Sequence, residues 1–345
     1  MPDPAAAPLL QVLSAFPETR SLGLEDLVPL PSKGVNHDHL RLRGTGLLLR
    51  LPRRTPWLGD PVAQLALEAA AFRRAEPAGV TPRLVAVIEP SASLPLGGLV
   101  VEDIEGHAPR LPDDLDAIAE ALARLHSPPL PPLGERPPLP DHSAIGPIAA
   151  TLTIIETQRP FLDRARLAPE TIAALAEDYA WARRYATETS PGNQPIALVG
   201  TDTHPGNFVI RRDGRAVLVD LERVCYGSPA IDLAHATLYT STTWDLEVQA
   251  VLSPAEVAGF YRRYLAEVGP ERAALLRPWL GPSRRLTWLR TMMWAVRLRA
   301  LDESGRLSLN PRLAHHIRAR LDDFFDPGTV ARVRAEWLQG AALEV

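Results

Sequence analysis

The chain has 345 residues, of which 46% are hydrophobic and 23% are charged, an ordinary composition for a globular protein. Its formal net charge of -4 gives no basic footprint for a nucleic acid, and no apolar run reaches membrane-spanning length. The single cysteine excludes an intrachain disulfide framework, and with no basic signal segment at the start we expect a cytoplasmic protein.

The first hundred residues are predicted to contain strands and one helix. Residues 38–51 have two apolar runs around a glycine-containing turn, which predicts two strands, and residues 61–76 have apolar positions at helical spacing after a proline. The stretches at 82–89 and 97–106 predict two further strands on either side of a turn-rich loop. We therefore predict a small N-terminal lobe, residues 1–104, with an antiparallel sheet and one helix.

Helical patterns dominate from residue 112 onward. Residues 112–127 have acids in the first turn and apolar residues at helical spacing, and the proline-rich segment after them is predicted to be a stiff surface connection. Further helices are predicted at 147–164, 169–187, 229–241, 254–268 and 283–302. Only residues 197–221 interrupt them with strand-like sequence, so residues 105–345 are predicted to form a larger helical lobe with one hairpin. The predicted fold class is α+β, with two lobes.

The hairpin carries the candidate chemistry. In FVIRRDGRAVLVD, two apolar runs flank Asp213-Gly214, a dipeptide typical of two-residue hairpin turns. With that turn Asn207 faces Asp220, and Asp202 lies just upstream in the loop. Carboxylate and amide oxygens suit Mg²⁺. Asp and Asn also make turns by bonding to their own backbone, so a purely structural interpretation stays open for the loop alone.

The sequence from GTDTHPGNFVI to AVLVDLERVCYGSPAIDLAHA resembles the catalytic segment of the aminoglycoside phosphotransferase and choline kinase group. These proteins are small-molecule kinases with a protein-kinase-like fold. Their pattern is Asp-x-x-x-x-Asn, then Asp-x-Glu, then Gly-x-Pro-x-x-Asp-Leu-Ala. The matching residues are Asp202, Asn207, Asp220, Glu222, Gly227, Pro229, Asp232, Leu233 and Ala234. The resemblance implies a bilobal protein-kinase-like fold that uses ATP and Mg²⁺ to phosphorylate the hydroxyl of a small molecule.

The resemblance also implies a role for each matching residue. Asp202 would accept the proton of the acceptor hydroxyl, and Asn207 and Asp220 would hold Mg²⁺. Glu222 and Asp232 would support the site, and an acid such as Asp232 in the first turn of a helix is also favourable without any further role.

A weaker resemblance extends upstream to about residue 30. Gly34 and Asn36 match the family's phosphate-covering loop, which is poor in glycine here. Arg50 stands where the family has a cation that reaches the ATP phosphates, and Glu68 stands where a helix glutamate pairs with that cation. The backbone from Glu102 to Ile104 corresponds to the hinge strand that bonds adenine.

One departure from the family pattern bears on activity. The family's leading His is Gly200 here, and its Gly is Thr201. In the family that His supports the catalytic loop and does no chemistry itself. Its replacement by Gly200 therefore puts the support of the loop in question more than the catalytic groups of the loop. A nucleotide-binding pseudokinase is the alternative, although Asp202, Asn207 and Asp220 are all present. After Asp220 the sequence has neither the Ala-Pro-Glu segment nor the long activation region that a protein kinase carries there.

The acceptor is left open by the sequence, and a monomer or a homodimer is expected. Trp244 and Asp245 follow a predicted helix, where they suit either a cationic amine or a helix start with a packing ring. The helix at 283–302 carries five arginines, which favour an anionic acceptor only if they face the cleft. His204 is predicted to be a loop histidine or a phosphate neighbour, and Cys225 a small buried residue.

Overall fold

The computed structural model describes residues 6–31, 36–53, 59–306 and 311–339. Gly34 of the predicted phosphate-covering loop lies outside the described residues.

The N-terminal part is an antiparallel sheet flanked by helices. Its elements are α1 (Ala6–Leu13), β1 (Leu27–Pro29), β2 (His37–Leu42), β3 (Leu47–Pro52), α2 (Pro61–Ala75), β4 (Leu84–Ile88) and β5 (Gly98–Glu102). The five strands lie in the order β1-β2-β3-β5-β4. The predicted helix and strands are present, and α1 and β1 add to them.

The two faces of this sheet pack against different helices because successive side chains of a strand alternate. Leu49 and Val100 are buried in a cluster with residues of α1, whereas Leu99 is buried in the cluster that contains Phe72 of α2. Arg50 follows Leu49, and its guanidinium lies 5.6 Å from the centre of the Phe72 ring. The strand register thus places Arg50 on the side of α2.

The second part contains two small sheets within a helical body. One sheet has the order β6-β8-β9, with β6 (Gly106–His107), β8 (Phe208–Arg211) and β9 (Ala216–Leu218); the other pairs β7 (Ala197–Val199) with β10 (Cys225–Gly227). The helices are α3 (Leu115–Leu125), α4 (Pro147–Gln158), α5 (Pro169–Glu188), α6 (Pro229–Thr237), α7 (Tyr239–Thr242), α8 (Pro254–Val268), α9 (Pro270–Glu303), α10 (Pro311–Phe325) and α11 (Pro327–Leu338). The division predicted at residue 104 stays a prediction, and β6 begins just after it.

Three predicted helices differ from the observed ones. The helix predicted at 147–164 ends at Gln158 as α4, and residues 159–164 form a 3₁₀ helix. The helix predicted at 283–302 is the second half of α9, which has 34 residues and contains Pro278 and Pro282. Prolines interrupt a helical pattern in sequence, so the first half of α9 was missed. The helix predicted at 229–241 is divided into α6 and α7, because Leu238 has extended backbone angles.

Helix α6 lies in the interior of the second part. Every residue of α6 is buried, and α9 packs along it with Trp288 and Met292 among its own buried residues. A helix buried on all sides can hold polar side chains only if they are partnered or functional. Asp232 and His235 are such side chains.

The hairpin of β8 and β9 forms with a register that differs from the predicted one. Ile210 faces Ala216, and Phe208 faces Leu218. The N–H of Val219 donates to the carbonyl oxygen of Asn207 at 2.9 Å. The predicted pairing of Asn207 with Asp220 is therefore wrong by one residue, and Asp220 follows directly after the end of the ladder.

The connecting loop explains the shift. The N–H of Gly214 donates to the carbonyl oxygen of Arg211, and the N–H of Arg211 donates to the carbonyl oxygen of Arg215, both at 2.9 Å. Gly214 has φ +82°, so the loop has three residues and ends in a left-handed glycine. Asp213 and Gly214 are thus the last two residues of a three-residue loop and do not form a two-residue turn.

Replacement of Gly214 by alanine tests this loop. A Cβ at Gly214 meets no atom within 4 Å, so the cost comes from the positive φ alone. We expect Gly214→Ala to lower the free energy of unfolding by about 1 kcal/mol in urea denaturation. Gly134→Ala is the matched control, since that site is equally open and has no positive φ. Equal stability of the two variants would contradict the assigned loop.

Candidate active site

One buried carboxylate holds the loop between β7 and β8. Asp232, in the first turn of α6, has no exposed surface. Its Oδ2 accepts the N–H of Gly200 and its Oδ1 accepts the N–H of Thr201, both at 2.7 Å. The hydroxyl of Thr203 donates to the carbonyl oxygen of Asp232 at 2.8 Å. These contacts fix the backbone on both sides of Asp202, and they are the ones that a supporting role for Asp232 requires.

Two further residues stand behind this carboxylate. His126, at the end of α3, places Nε2 3.0 Å from Oδ2 of Asp232. Its Nδ1 lies 2.8 Å from the hydroxyl oxygen of Tyr264, which α8 supplies. Both residues are buried, so water does not compete for these bonds. The loop is thereby connected to three helices.

Gly200 leaves no room for the family's histidine. A Cβ at this position would lie 2.8 Å from Cγ2 of Thr203 and 3.1 Å from Cδ2 of Leu218. Since real Cβ atoms are not found as close as 2.8 Å, any side chain at this position would require the loop to shift. The glycine is therefore built into the packing of this loop.

Arg290 of α9 supports the loop instead. Its Nη2 donates to the carbonyl oxygen of Thr201 at 2.7 Å. Thr201 has φ +56°, an uncommon conformation for a residue other than glycine, and its hydroxyl donates to the carbonyl oxygen of Arg223 at 2.9 Å. The side chain of Arg290 and the hydroxyl of Thr201 thus hold the strained residue that precedes Asp202.

Asp202 extends from this anchored loop toward solvent. Its side chain is 30% exposed, and Nδ2 of Asn207 donates to its carbonyl oxygen at 2.8 Å. That bond uses the amide nitrogen of Asn207 and leaves its Oδ1 as an acceptor or ligand. The loop therefore presents a carboxylate and an amide oxygen at one place.

His235 lies beside Asp202 and is neutral. Its Nδ1 is 3.8 Å from Oδ1 of Asp202, and the nitrogen is buried without a hydrogen-bond partner among the described residues. Burial lowers the pKa of His235 well below its usual range, and the charge of Arg290 lowers it further. The contact is consequently not an ion pair.

Arg50 and Asp220 connect the two parts of the chain. Nη2 of Arg50 lies 3.0 Å from Oδ1 of Asp220, and its Nη1 donates to the carbonyl oxygen of Val219 at 3.2 Å. Burial would raise the pKa of Asp220, but the charges of Arg50 and His37 lower it below its usual range. Asp220 is thus an ionised carboxylate paired with the cation predicted to bind phosphate.

Glu68 does not pair with Arg50 as the sequence predicted. Its Oε2 lies 3.0 Å from Nε2 of His37, and its Oε1 accepts from Gln64 at 2.9 Å. This part of the prediction is wrong for the described structure, because the guanidinium of Arg50 is directed to Asp220 and a histidine of β2 takes its place at Glu68.

His37 bridges two glutamates. Its Nδ1 lies 3.3 Å from Oε2 of Glu222, whose other oxygen accepts from Nδ2 of Asn36 at 2.7 Å. Burial and the charge of Arg50 lower the pKa of His37, but hydrogen bonds with Glu222 and Glu68 outweigh them and raise it to about 9. A charged imidazole therefore joins β2, α2 and the segment after Asp220.

The predicted adenine contacts lie at the connection between the parts. The N–H of Ile104 has no hydrogen bond within the described residues, which leaves it available to a ligand. Ile104 also lines an open cavity of about 780 Å³. The side chain of Glu102 accepts from Nη2 of Arg211 at 2.6 Å. Adenine binding at Glu102 and Ile104 stays a prediction.

The residues named as acceptor candidates have structural contacts. Trp244 packs edge-on against Trp294 at 5.1 Å between ring centres and also contacts Phe324. Oδ1 of Asp245 accepts the backbone N–H groups two and three residues ahead. These contacts agree with the interpretation of a packing ring and a turn. Cys225 is buried, and burial raises the pKa of its thiol to about 12.

Three residues near the site escaped sequence reasoning. His235 follows Asp232 by three positions and so shares its helix face, a signal that was available. His37 directly follows Asn36, but its buried position between two acids depends on the sheet and on α2. Arg290 is 89 positions from Thr201, and no local pattern predicts that contact.

The donor set fits Mg²⁺ that is shared with phosphate. Asn207 supplies a free amide oxygen, and Asp220 supplies an ionised carboxylate. Among the described residues no group of three or more His, Cys, Asp or Glu forms a metal cage. Mg²⁺ is commonly held by one or two carboxylates together with substrate phosphates, so this set suits a metal–nucleotide complex.

The sequence profile of the phosphotransferase enzyme family matches residues 28–276. The chain belongs to this family. The match spans both parts of the structure, from β1 to α9. It confirms the predicted resemblance and the predicted enzyme class, a small-molecule kinase.

Solved structures confirm the predicted fold class. An ethanolamine kinase of Plasmodium vivax has 17% identity and a TM-score of 0.57, over 89% of this chain and 84% of that one. A choline kinase from Cryptosporidium parvum has 9% identity and a TM-score of 0.60, over 98% and 99%. A spectinomycin phosphotransferase in complex with ADP and spectinomycin has 12% identity and a TM-score of 0.57, over 88% and 91%. At such identities the likeness shows the fold.

Two further findings concern curated sequences and membrane-spanning helices. A search of curated protein sequences finds no match. Among the described helices, even α9 with its 34 residues lacks the apolar stretch that a bilayer span needs.

The charge on His37 predicts a pH-dependent stability. Because its folded pKa lies above the ordinary value, protonation stabilises the fold; the effect is complete below about pH 6.5 and is lost as pH rises through about 9. We expect His37→Gln to be less stable than wild type near pH 6 and the difference to shrink near pH 10. The measurement is urea denaturation at each pH.

His315→Gln is the control for this titration, since that histidine is exposed on α10. It should follow the wild-type curve throughout. A stability difference for His37→Gln that stays constant from about pH 6 to pH 10 would disprove the charged bridge.

Proposed function

We propose that this protein is an ATP- and Mg²⁺-dependent phosphotransferase that phosphorylates a hydroxyl of a small molecule. The observation that carries the proposal is Asp202, a partly exposed carboxylate on a loop whose backbone is fixed from behind by Asp232. Phosphoryl transfer depends on positioning and charge stabilisation, and such a rigid loop suits it. The spectinomycin phosphotransferase complexed with ADP supports nucleotide use.

Asp202 would act as the catalytic residue. Its carboxylate would accept the proton of the acceptor hydroxyl while the acceptor oxygen bonds to the γ-phosphorus and the bond to ADP breaks. The neutral His235 beside it adds no charge that would compete for that proton. The Asn207 bond to the Asp202 carbonyl holds the carboxylate in its position.

Arg50 would bind the α- and β-phosphates of ATP. A guanidinium stays charged and can bind two phosphate oxygens at once. Arg50 is 4% exposed and paired with Asp220, so binding would exchange part of that pairing for phosphate contacts. Glu68 and Glu222 would act through His37, which lies next to Arg50 in the charge network.

Asn207 and Asp220 would hold Mg²⁺ through Oδ1 and the carboxylate. The ion would neutralise charge on the phosphates. Asp220 is suited to this role because it is ionised although burial opposes its charge. Asn36 and the glycine-poor loop before it would cover the phosphates, and the backbone at Glu102 and Ile104 would bond adenine.

A nucleotide-binding pseudokinase is the second candidate. Gly200 in place of the family's His motivates it. Arg290 weighs against it, because this side chain supplies the support that the missing His would give. Binding of Mg·ATP without turnover across a broad set of acceptors would favour the pseudokinase.

Two substitutions test the assigned roles. Asp202→Asn should lower kcat by about 10²–10⁴-fold, because it removes the proton acceptor, and leave Mg·ATP binding intact. Asp220→Asn should weaken Mg·ATP binding as well. ADP release by the full-length chain would be measured with aminoglycosides, choline, homoserine and amino sugars, and nucleotide binding by calorimetry.

Asp213→Asn serves as the matched control. This carboxylate lies in the exposed hairpin loop and pairs with Arg215. It should keep both turnover and nucleotide binding. Near-normal turnover by Asp202→Asn would show that another group accepts the proton.

A further inference from the structure

Helix α9 presents a stripe of two arginines and a tryptophan beside the catalytic loop. Arg290, Trp294 and Arg297 are spaced four and three residues apart, so they lie on one face of the helix. All three side chains are half-buried. We call these three residues the arginine stripe.

Contacts at two points place the stripe along the loop that carries Asp202. Arg290 donates to the carbonyl oxygen of Thr201, the residue before Asp202. Trp294 packs on Trp244. Asp245, which follows Trp244, occupies the space that a side chain at Gly206 would need. The stripe therefore contacts the loop at Thr201 through Arg290, and Trp294 is linked to Gly206 through Trp244 and Asp245.

The stripe differs from the other arginines of this half of α9 because its two cations lack acidic partners. Arg284 pairs with Glu336, Arg285 with Asp178 and Arg299 with Asp322. Neither Arg290 nor Arg297 has a carboxylate within ion-pair distance among the described residues.

Arg297 carries a further sign of a missing partner. Its Nε is buried and has no hydrogen bond within the described residues, and its guanidinium lies 5.8 Å from the ring centre of Phe161. A buried donor left without a partner costs about 1–3 kcal/mol. A ligand that accepts from Arg297 would remove that cost.

The charges beside Asp202 disfavour a cationic acceptor. Arg290 is charged although burial and the charge of Arg223 lower its pKa to about 10. Two acids near Asp202 already accept hydrogen bonds: Asp232 accepts two backbone N–H groups, and Oδ1 of Asp245 accepts two more. A like charge in such a partly desolvated site is repelled strongly.

We propose that the acceptor carries an anionic group, a carboxylate or a phosphate, which Arg290 and Arg297 bind beside Asp202. The inference rests on the proposed function. Arg290 and Arg297 are about 10 Å apart along the helix axis with Trp294 between them, so an acceptor bound by both would extend past Trp294. The substrate class is then hydroxy acids and polyol phosphates.

The position of Arg297 separates this proposal from simple phosphate binding. Arg290 is close enough to the loop of Asp202 that its charge could also serve the γ-phosphate of ATP. Arg297 is two helical turns further on, and Mg·ATP does not need it. A change at Arg297 should therefore act on the acceptor alone.

The test compares related acceptors with and without a charged group. Turnover with Mg·ATP would be measured for the full-length chain with glycerate, glycerol 3-phosphate and glycerol, and with gluconate, glucose 6-phosphate, glucose and glucosamine. Binding of the same compounds would be followed separately by calorimetry. The acids distinguish a carboxylate from a phosphate, and glucosamine supplies the cation.

We expect an acid to be preferred over its neutral partner by about 10- to 100-fold in kcat/KM, the range of a charge-assisted hydrogen bond. Arg297→Met should remove that preference by raising the KM of the acid while the KM of ATP stays unchanged. Arg299→Met, on another face of α9 and paired with Asp322, is the control and should match wild type.

The outcomes separate the two proposals. Preferred turnover or binding of an acid that Arg297→Met abolishes supports the anionic acceptor, and binding without turnover would then contradict only the kinase function. Turnover of glucose or glucosamine as good as that of any acid overturns the inference and leaves the kinase function standing. No binding of any acid, or a preference that survives Arg297→Met, also overturns it.

Discussion

The buried carboxylate of Asp232 is the constraint on which the site depends. It fills its acceptor positions with two backbone N–H groups of the loop and with His126, and it has no access to water. A charge buried in this way is tolerated only when it is fully hydrogen-bonded. Removal of one partner of such a group typically costs about 3–5 kcal/mol. The loop conformation, including the left-handed Thr201, is therefore the one that satisfies Asp232.

A second set of charges connects the N-terminal sheet to this loop. Arg50 reaches Asp220, and His37 reaches Glu222, so two basic residues of the sheet meet two acids that follow the hairpin. The alternation of β3 directs Arg50 toward α2, and β2 and α2 place His37 at Glu68. The cation and the acid expected to bind phosphate and metal thus compensate each other's charge in this arrangement. A metal–nucleotide complex would supply a phosphate for Arg50 and a cation for Asp220 in one ligand.

Local sequence was sufficient for part of the fold and of the site. The helix of Glu68, the strands around Arg50 and the hairpin after Asn207 follow from periodicity and turn residues within short windows. The hairpin register was missed because Gly214 can end a three-residue loop as well as sit in a two-residue turn. The partner of Glu68 was missed because it depends on how β2 lies against α2. Arg290 was missed because α9 comes to the loop from 89 positions away, and prolines in α9 obscured its length.

The same contrast between local and distant contacts separates the residues proposed for ATP and Mg²⁺ from those proposed for the acceptor. The residues proposed for ATP and Mg²⁺ lie on the hairpin and the sheet, where each follows a short pattern that the family shares. The side chains proposed to bind the acceptor come from α9, whose register against the loop is set by the burial of Trp288 and Met292 on its opposite side. That packing can be kept while residues of the half-buried stripe change, since core and stripe occupy different faces of one helix. In the proposed reaction the fold would thus fix where the acceptor binds, and the charges of α9 would decide which acceptor it is.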